Sequence, residues 1–165
     1  MEVTQKYIEF EGIKVPGGVH TPESMTWAWK EFEVRDDDVF NATYPKSGTT
    51  WLQEILSLIY SNGDPTTVKT EFSWDRVPWL EQHSGRRQVE NRPSPRLITT
   101  HLPTYLFPQS FQKSKAKVSV NPTYSALKKY SHPLKFSKFF HVTTKNIMYF
   151  IGILCDRPTQ SGTSL

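Results

Sequence analysis

Apolar and polar positions alternate in part through "KYIEFEGIKVP" (residues 6–16), and the run ends at Pro16, Gly17 and Gly18. That pattern predicts a short strand or hairpin arm followed by a loop. In "TPESMTWAWKEF", Thr21 stands at an N-cap position, Pro22 at the first helical position, and Glu23 and Ser24 in the first turn, so a helix starts there. The acids of "DDDVFNATYP" mark a turn, and residues 39–43 follow as a run that can be buried on both faces, a strand. Residues 50–60 place Trp51, Ile55, Leu58 and Ile59 at helical spacing, with Leu52 and Leu56 widening the stripe. "SNGDP" stops this helix, since Gly63 takes a left-handed conformation readily and Pro65 blocks continuation.

Residues 66–95 are mixed: "WDRVPWLEQ" reads as a short helix or turn and "SGRRQVENRPSP" as a polar loop. "RLITTHLP" reads as a second buried strand ending at His101. Beyond Lys117 no clean period or cap is legible, and "DRPTQSGTSL" reads as a frayed end. No internal repeat is found. The strand, loop and helix of residues 39–60 are the clearest local structure in the chain.

A chain of 165 residues has room for one domain with a real core. The single cysteine, Cys155, cannot form an internal disulfide, which fits a reducing compartment. No basic-then-apolar leader is visible, and the longest apolar run, "IMYFIGIL", falls well short of a membrane-spanning helix. A soluble cytoplasmic protein without a membrane partner is the expectation. The net charge of +4 is uneven: residues 119–165 carry +5 and the first 118 carry −1. A surplus confined to the tail makes a nucleic-acid binder the weakest reading.

The chemistry concentrates in "NATYPKSGTTWLQEIL" (residues 41–56), where a strand gives way to a helix through Lys46, Ser47, Gly48, Thr49 and Thr50. A helix N-terminus offers unpaired amides and a partial positive charge, so an anion sits there readily. Gly48 permits close backbone approach, the three hydroxyls add donors, and Lys46 adds a mobile positive charge. The lysine precedes the single glycine, so this is not the nucleotide loop GxxxxGK[ST]. On spacing alone, a helix cap with a stray lysine accounts for the stretch equally well. No cluster has metal-ligand spacing, and no metal is expected.

"TYPKSGTTW" closely resembles the phosphosulfate-binding loop of cytosolic sulfotransferases. "FEGIKVP", "RDDDVFNATYPKSGTTWLQEIL", "WDRVPWLE", "SPRLITTHLP" and "LFPQSFQKSKAKV" resemble that family in its order and spacing, its steroid and alcohol branch most nearly. The resemblance covers roughly residues 7–118 and implies a truncated α/β fold, a partial parallel sheet with helices and a P-loop-like nucleotide site. It implies transfer of sulfonate from 3′-phosphoadenosine 5′-phosphosulfate to a hydroxyl of a small lipophilic acceptor, a steroid, alcohol or phenol. It further implies that Lys46 stabilises charge on the leaving phosphate, and that Ser47, Gly48, Thr49 and Thr50 cradle the 5′-phosphate. Trp51 would stack on the adenine, His101 would take the acceptor's proton, and Trp79 would line the acceptor pocket. His20, His83, His132 and His141 are read as structural.

After "KAKV" the resemblance stops. The family's "RNP"-type segment, which binds the 3′-phosphate, is echoed only by Asn121-Pro122 without the arginine, and the family's dimer-forming segment is absent. Residues 1–118 are therefore expected to form the sulfotransferase-like part and residues 119–165 a divergent tail, the mark of a truncated product of alternative splicing or intron read-through. Loss of the later strands is expected to expose apolar surface on residues 39–43 and 97–100. The rival reading is a non-catalytic relative that binds nucleotide weakly or pairs with a full-length copy.

Overall fold

The computed structural model describes residues 6–120, 136–144 and 147–154, the last two stretches by their backbone. Strands β1 (Tyr7–Phe10) and β2 (Ile13–Pro16) pair antiparallel, with Phe10 opposite Ile13. The two residues between them, Glu11 and Gly12, have φ of 45° and 82°. Both are left-handed, as a type I′ turn requires to match the twist of its strands. The partial alternation thus encodes a whole hairpin.

Helix α1 (Pro22–Thr26) begins with a capping box: the Ser24 N–H donates to Thr21 Oγ1 and the Thr21 N–H to Ser24 Oγ, both at 3.1 Å. It widens into a π-helical turn, Trp27–Glu31, that buries Trp27 and Ala28. Strand β3 (Val39–Ala42) lies parallel between β4 (Leu97–Thr100) and β5 (Lys117–Val120). Because alternate residues face opposite layers, β3 feeds two cores. Phe40 and Ala42 join Ile98, Val118, Leu80, Met25 and Phe32 on one face. On the other, Asn41 and Thr99 meet α2 (Thr49–Tyr60): Asn41 Nδ2 donates to the Thr49 carbonyl at 3.3 Å and Gln53 Nε2 to Thr99 Oγ1 at 2.9 Å. Burying a side chain such as Phe40 or Ile98 contributes about 1.5–3 kcal/mol.

The strands are not the exposed surface that truncation led us to expect. Phe40, Asn41, Ile98, Thr99 and Thr100 are all 0% exposed, because β3 is central in its sheet and both faces are covered. Exposed apolar surface lies instead on α2 and just beyond it, at Trp51, Ile59, Phe72 and Trp74, the last two stacked with ring centres 4.6 Å apart. Helix α2 is also rotated from expectation. It buries Thr49, Leu52, Gln53, Leu56 and Ser57, leaving Trp51 and Ile59 exposed and Ile55 and Leu58 half-buried. The sheet face opposite α2 presents polar atoms, the Thr99 hydroxyl and the Val77 carbonyl, and Gln53 Nε2 donates to both. The helix ends in a Schellman motif, with Gly63 N–H donating to Leu58 C=O and Asn62 N–H to Ile59 C=O. Asn62 as well as Gly63 is left-handed.

Short helices α3 (Thr66–Thr70) and α4 (Ser73–Arg76) follow. The stretch read as a polar loop contains a further helix, α5 (Gly85–Glu90), anchored by the fully buried Val89. A side chain at Gly85 would lie 2.3 Å from the carbonyl oxygens of Trp79 and Leu80, so glycine is what lets α5 dock on that segment. At the start of β3 and β4, Arg96 grips Asp38 bidentately, Nε to Oδ1 at 2.7 Å and Nη2 to Oδ2 at 2.6 Å, with both side chains buried. The Arg35 N–H supplies Asp38 with a further bond.

Strands β6 (Phe136–Thr144) and β7 (Ile147–Leu154) form an antiparallel hairpin, and β7 pairs antiparallel with β5. The sheet order is β4-β3-β5-β7-β6, three parallel strands extended by the hairpin. Two strands therefore occupy a stretch in which no regular period was legible. Asn121, Pro122, His132 and Cys155, named above, lie outside the described residues. Among the described residues no helix is long and apolar enough to cross a membrane.

Candidate functional site

The site lies at the carboxyl ends of parallel strands β3 and β4, where open α/β sheets bind ligands. Just past β3, the Thr43 N–H donates to the Thr100 carbonyl at 3.1 Å, so the two strands stay side by side to that point. The chain then reverses through Tyr44, Pro45, Lys46 and Ser47, closed by the Ser47 N–H on the Tyr44 carbonyl at 3.1 Å. Lys46 has φ of 65°, the left-handed backbone a turn of this kind demands at its third position. A lysine there is uncommon, since a Cβ disfavours that conformation. Gly48, the N-cap of α2, is left-handed again at φ 91°.

At the start of α2 the Leu52 N–H donates to the Gly48 C=O at 3.1 Å. The amides of Thr49 and Thr50 precede it and have no helical partner. No acid stands in the first turn of this twelve-residue helix, so its positive end is not offset and favours an anion. The three hydroxyls are used differently. Ser47 Oγ donates to the Tyr44 carbonyl at 2.6 Å, and Thr49 Oγ1, buried, shares a hydrogen bond of 2.7 Å with Thr43 Oγ1. Thr50 is exposed, as are the side chains of Lys46 and Trp51. Thr49 is thus tied to β3 through both its carbonyl and its hydroxyl, which fixes the start of α2 against the sheet.

His101 follows β4 directly. Its Nδ1 lies 2.6 Å from the Thr43 carbonyl and 3.3 Å from Thr43 Oγ1. A carbonyl only accepts, so Nδ1 carries the proton and Nε2 carries the lone pair. Burial pushes the imidazole pKa below its ordinary value; the Glu81 carboxylate and the Thr43 carbonyl oppose that, and the charge of His20 adds to it. The imidazole is therefore neutral near neutrality and open to a proton at Nε2.

Trp79 sets its ring edgewise to His101, centres 4.5 Å apart at 64°. It is carried by an extended segment bound to β4: Thr99 N–H donates to Pro78 C=O at 2.7 Å and Leu80 N–H to Thr99 C=O at 2.9 Å. Glu81 Oε1 accepts the His101 backbone N–H at 2.8 Å. The structure thus brings His101 and Trp79 together and joins His101 to the loop through Thr43 and Thr49. Thr43 and Glu81 were not singled out in the sequence, and His20, read there as structural, acts electrostatically on the imidazole. For Glu81 no local signal stood out, since in "PWLE" the apolar Trp79 and Leu80 are adjacent and the two-residue period of a strand is not legible. Among the described residues no three His, Cys, Asp or Glu side chains are grouped to hold a metal.

The family model described as "Sulfotransferase domain" matches residues 36–120. Mouse sulfotransferase 2B1 is 47% identical over 113 residues, covering 68% of this chain and 33% of that protein. The guinea pig (Cavia porcellus) 3-alpha-hydroxysteroid sulfotransferase is 49% identical over 109 residues, covering 66% of this chain and 38% of its own length. The chain therefore spans little more than a third of these relatives. Among solved structures, the mouse sulfotransferase SULT7A1 complexed with PAP superposes with a TM-score of 0.54 at 24% identity, over 73% of this chain and 41% of that one. A retinol dehydratase in complex with retinol and PAP gives 0.52 at 19% identity, over 69% and 43%. These two likenesses establish the fold, and the family match, spanning strand β3, the loop, strand β4 and His101, establishes that the chain belongs to the sulfotransferases.

Proposed function

We propose that residues 1–118 are the part of a sulfotransferase that holds the phosphosulfate end of 3′-phosphoadenosine 5′-phosphosulfate, with residues 119–165 a divergent tail. The acceptor is a hydroxyl of a small lipophilic molecule, a steroid, alcohol or phenol, and the setting is cytoplasmic. The nucleotide supplies the sulfonate. Lys46 and the amides of Thr49 and Thr50 hold its 5′ end, with Ser47 and Gly48 shaping the loop and Trp51 stacking on the base. The acceptor oxygen bonds to sulfur as the bond from sulfur to the phosphate oxygen breaks, and the acceptor proton passes to His101 Nε2. Charge left on the phosphate is offset by Lys46 and the helix terminus. Trp79 walls the acceptor side. The observation that carries this reading is the His101 Nδ1–H bond to Thr43 C=O, which aims a basic nitrogen from the root of the anion loop.

One feature favours the non-catalytic alternative: the arginine of the family's 3′-phosphate segment has no counterpart before Asn121. The two readings separate in one experiment. Binding of adenosine 3′,5′-bisphosphate is measured by calorimetry on the whole chain, alongside sulfonate transfer to a panel of phenols and sterols. The enzyme reading expects binding weakened at least about tenfold by Lys46→Ala and kept in His101→Ala, with transfer lost in both. Transfer that survives His101→Ala sinks the assigned base; binding without any transfer establishes the alternative.

A further inference from the structure

Glu81 stands outside the chemistry described so far, yet its setting is unusual. The residue is 1% exposed. Oε1 takes the His101 backbone N–H, and Oε2 has no hydrogen-bond partner among the described residues. A buried carboxylate with an unpaired oxygen is costly, and a fold retains one where its charge has a use. The segment that bears it is fixed on both sides. Its backbone is bridged to β4 at Trp79 and Thr99, and Ser24 Oγ donates to the Glu81 carbonyl at 2.8 Å. The alternation of an extended chain puts Trp79 and Glu81 on one side and the fully buried Leu80 on the other. Trp79 meets the imidazole ring and Glu81 meets the main chain of the same histidine.

We propose that Glu81 is the positioning residue of His101: it holds the histidine's main chain at the end of β4 and supplies the negative charge against which an imidazolium forms. The proposal rests on the reading of His101 as the base. It extends that reading, because a base that gains a proton in a buried site needs a counter-charge, and the Thr43 carbonyl at Nδ1 is only a dipole. The charged groups acting on the imidazole are Glu81, which favours its protonated form, and His20, which disfavours it.

The test is the His101 imidazole titration, followed by NMR on the whole chain. Glu81→Gln keeps an acceptor for the backbone N–H and removes the charge; the expected result is a downward shift of the midpoint with the fold unchanged. Glu81→Asp keeps the charge and shortens the reach; the His101 amide is expected to exchange about tenfold faster while the midpoint stays closer to wild type than in Glu81→Gln. A third measurement needs no variant: in the wild-type chain the Glu81 carboxyl ¹³C resonance is expected to inflect as His101 titrates. A Glu81→Gln midpoint equal to wild type, or a wild-type Glu81 resonance blind to His101, overturns the proposal. A merely structural role would move stability and leave the titration in place. Failure of the base assignment is distinguishable, since it appears as sulfonate transfer surviving His101→Ala, whatever the titration does.

Discussion

Thr43 and His101, fifty-eight positions apart in the chain, meet through the histidine Nδ1 and the threonine carbonyl at 2.6 Å. The contact exists because β3 and β4 are parallel and in register, Ala42 opposite Thr100. Both strands therefore deliver their next residue to the same end of the sheet. Thr43 also bonds Thr49 across the loop, so imidazole, strand end and helix start form one connected unit.

That connection makes Thr49→Val informative. Valine keeps the shape and removes the hydroxyl, leaving Thr43 Oγ1 without its 2.7 Å partner. A loss of about 1–2 kcal/mol is expected by urea unfolding, with weaker adenosine 3′,5′-bisphosphate binding because the start of α2 is no longer tied down.

Gly85→Ala tests the docking of α5. The added Cβ meets two main-chain oxygens at 2.3 Å, atoms that cannot swing aside, so about 1–3 kcal/mol of destabilisation is expected. The Trp79 environment is expected to change with it, read as a shift in tryptophan fluorescence.

Arg96→Ala leaves Asp38 charged and buried without its bidentate partner. The expected loss is about 3–5 kcal/mol, and replacing both residues by apolar ones of similar volume is expected to recover much of it. A double-mutant cycle from denaturant midpoints measures both.

The pH dependence of stability follows from His101. Its folded pKa lies below the ordinary 6.5 because of burial, so the unfolded chain binds a proton that the folded chain does not. Stability is complete above the unfolded value and is lost as pH falls through the folded one. His101→Gln is expected to flatten the slope of melting temperature against pH below about 6.5.

Much of the scaffold was legible from local rules. The Thr21 N-cap and the stop after Tyr60 are each governed by residues a few positions apart, whereas the Glu11-Gly12 turn made a whole hairpin where a single strand or hairpin arm was expected. The lysine-bearing loop stood out by composition. What escaped depends on partners distant in sequence. The buried face of α2 includes Gln53 and Ser57 because Gln53 answers polar atoms on residues 77 and 99, which apolar periodicity cannot register. Helix α5 was hidden by its polarity, with Val89 its one apolar anchor. Glu81 was not singled out at all, because its burial depends on β4 lying beside it.

The bridge between Trp79 and Thr99 has an evolutionary corollary. Because the stretch from Pro78 to Glu81 lies extended along β4, substitutions there act one side chain at a time, whereas losing or gaining a single residue inverts the whole set. Leucine would then turn toward the imidazole and the acid into the oily layer. Lineages of this fold should tolerate spelling changes in "PWLE" far more readily than changes in its length.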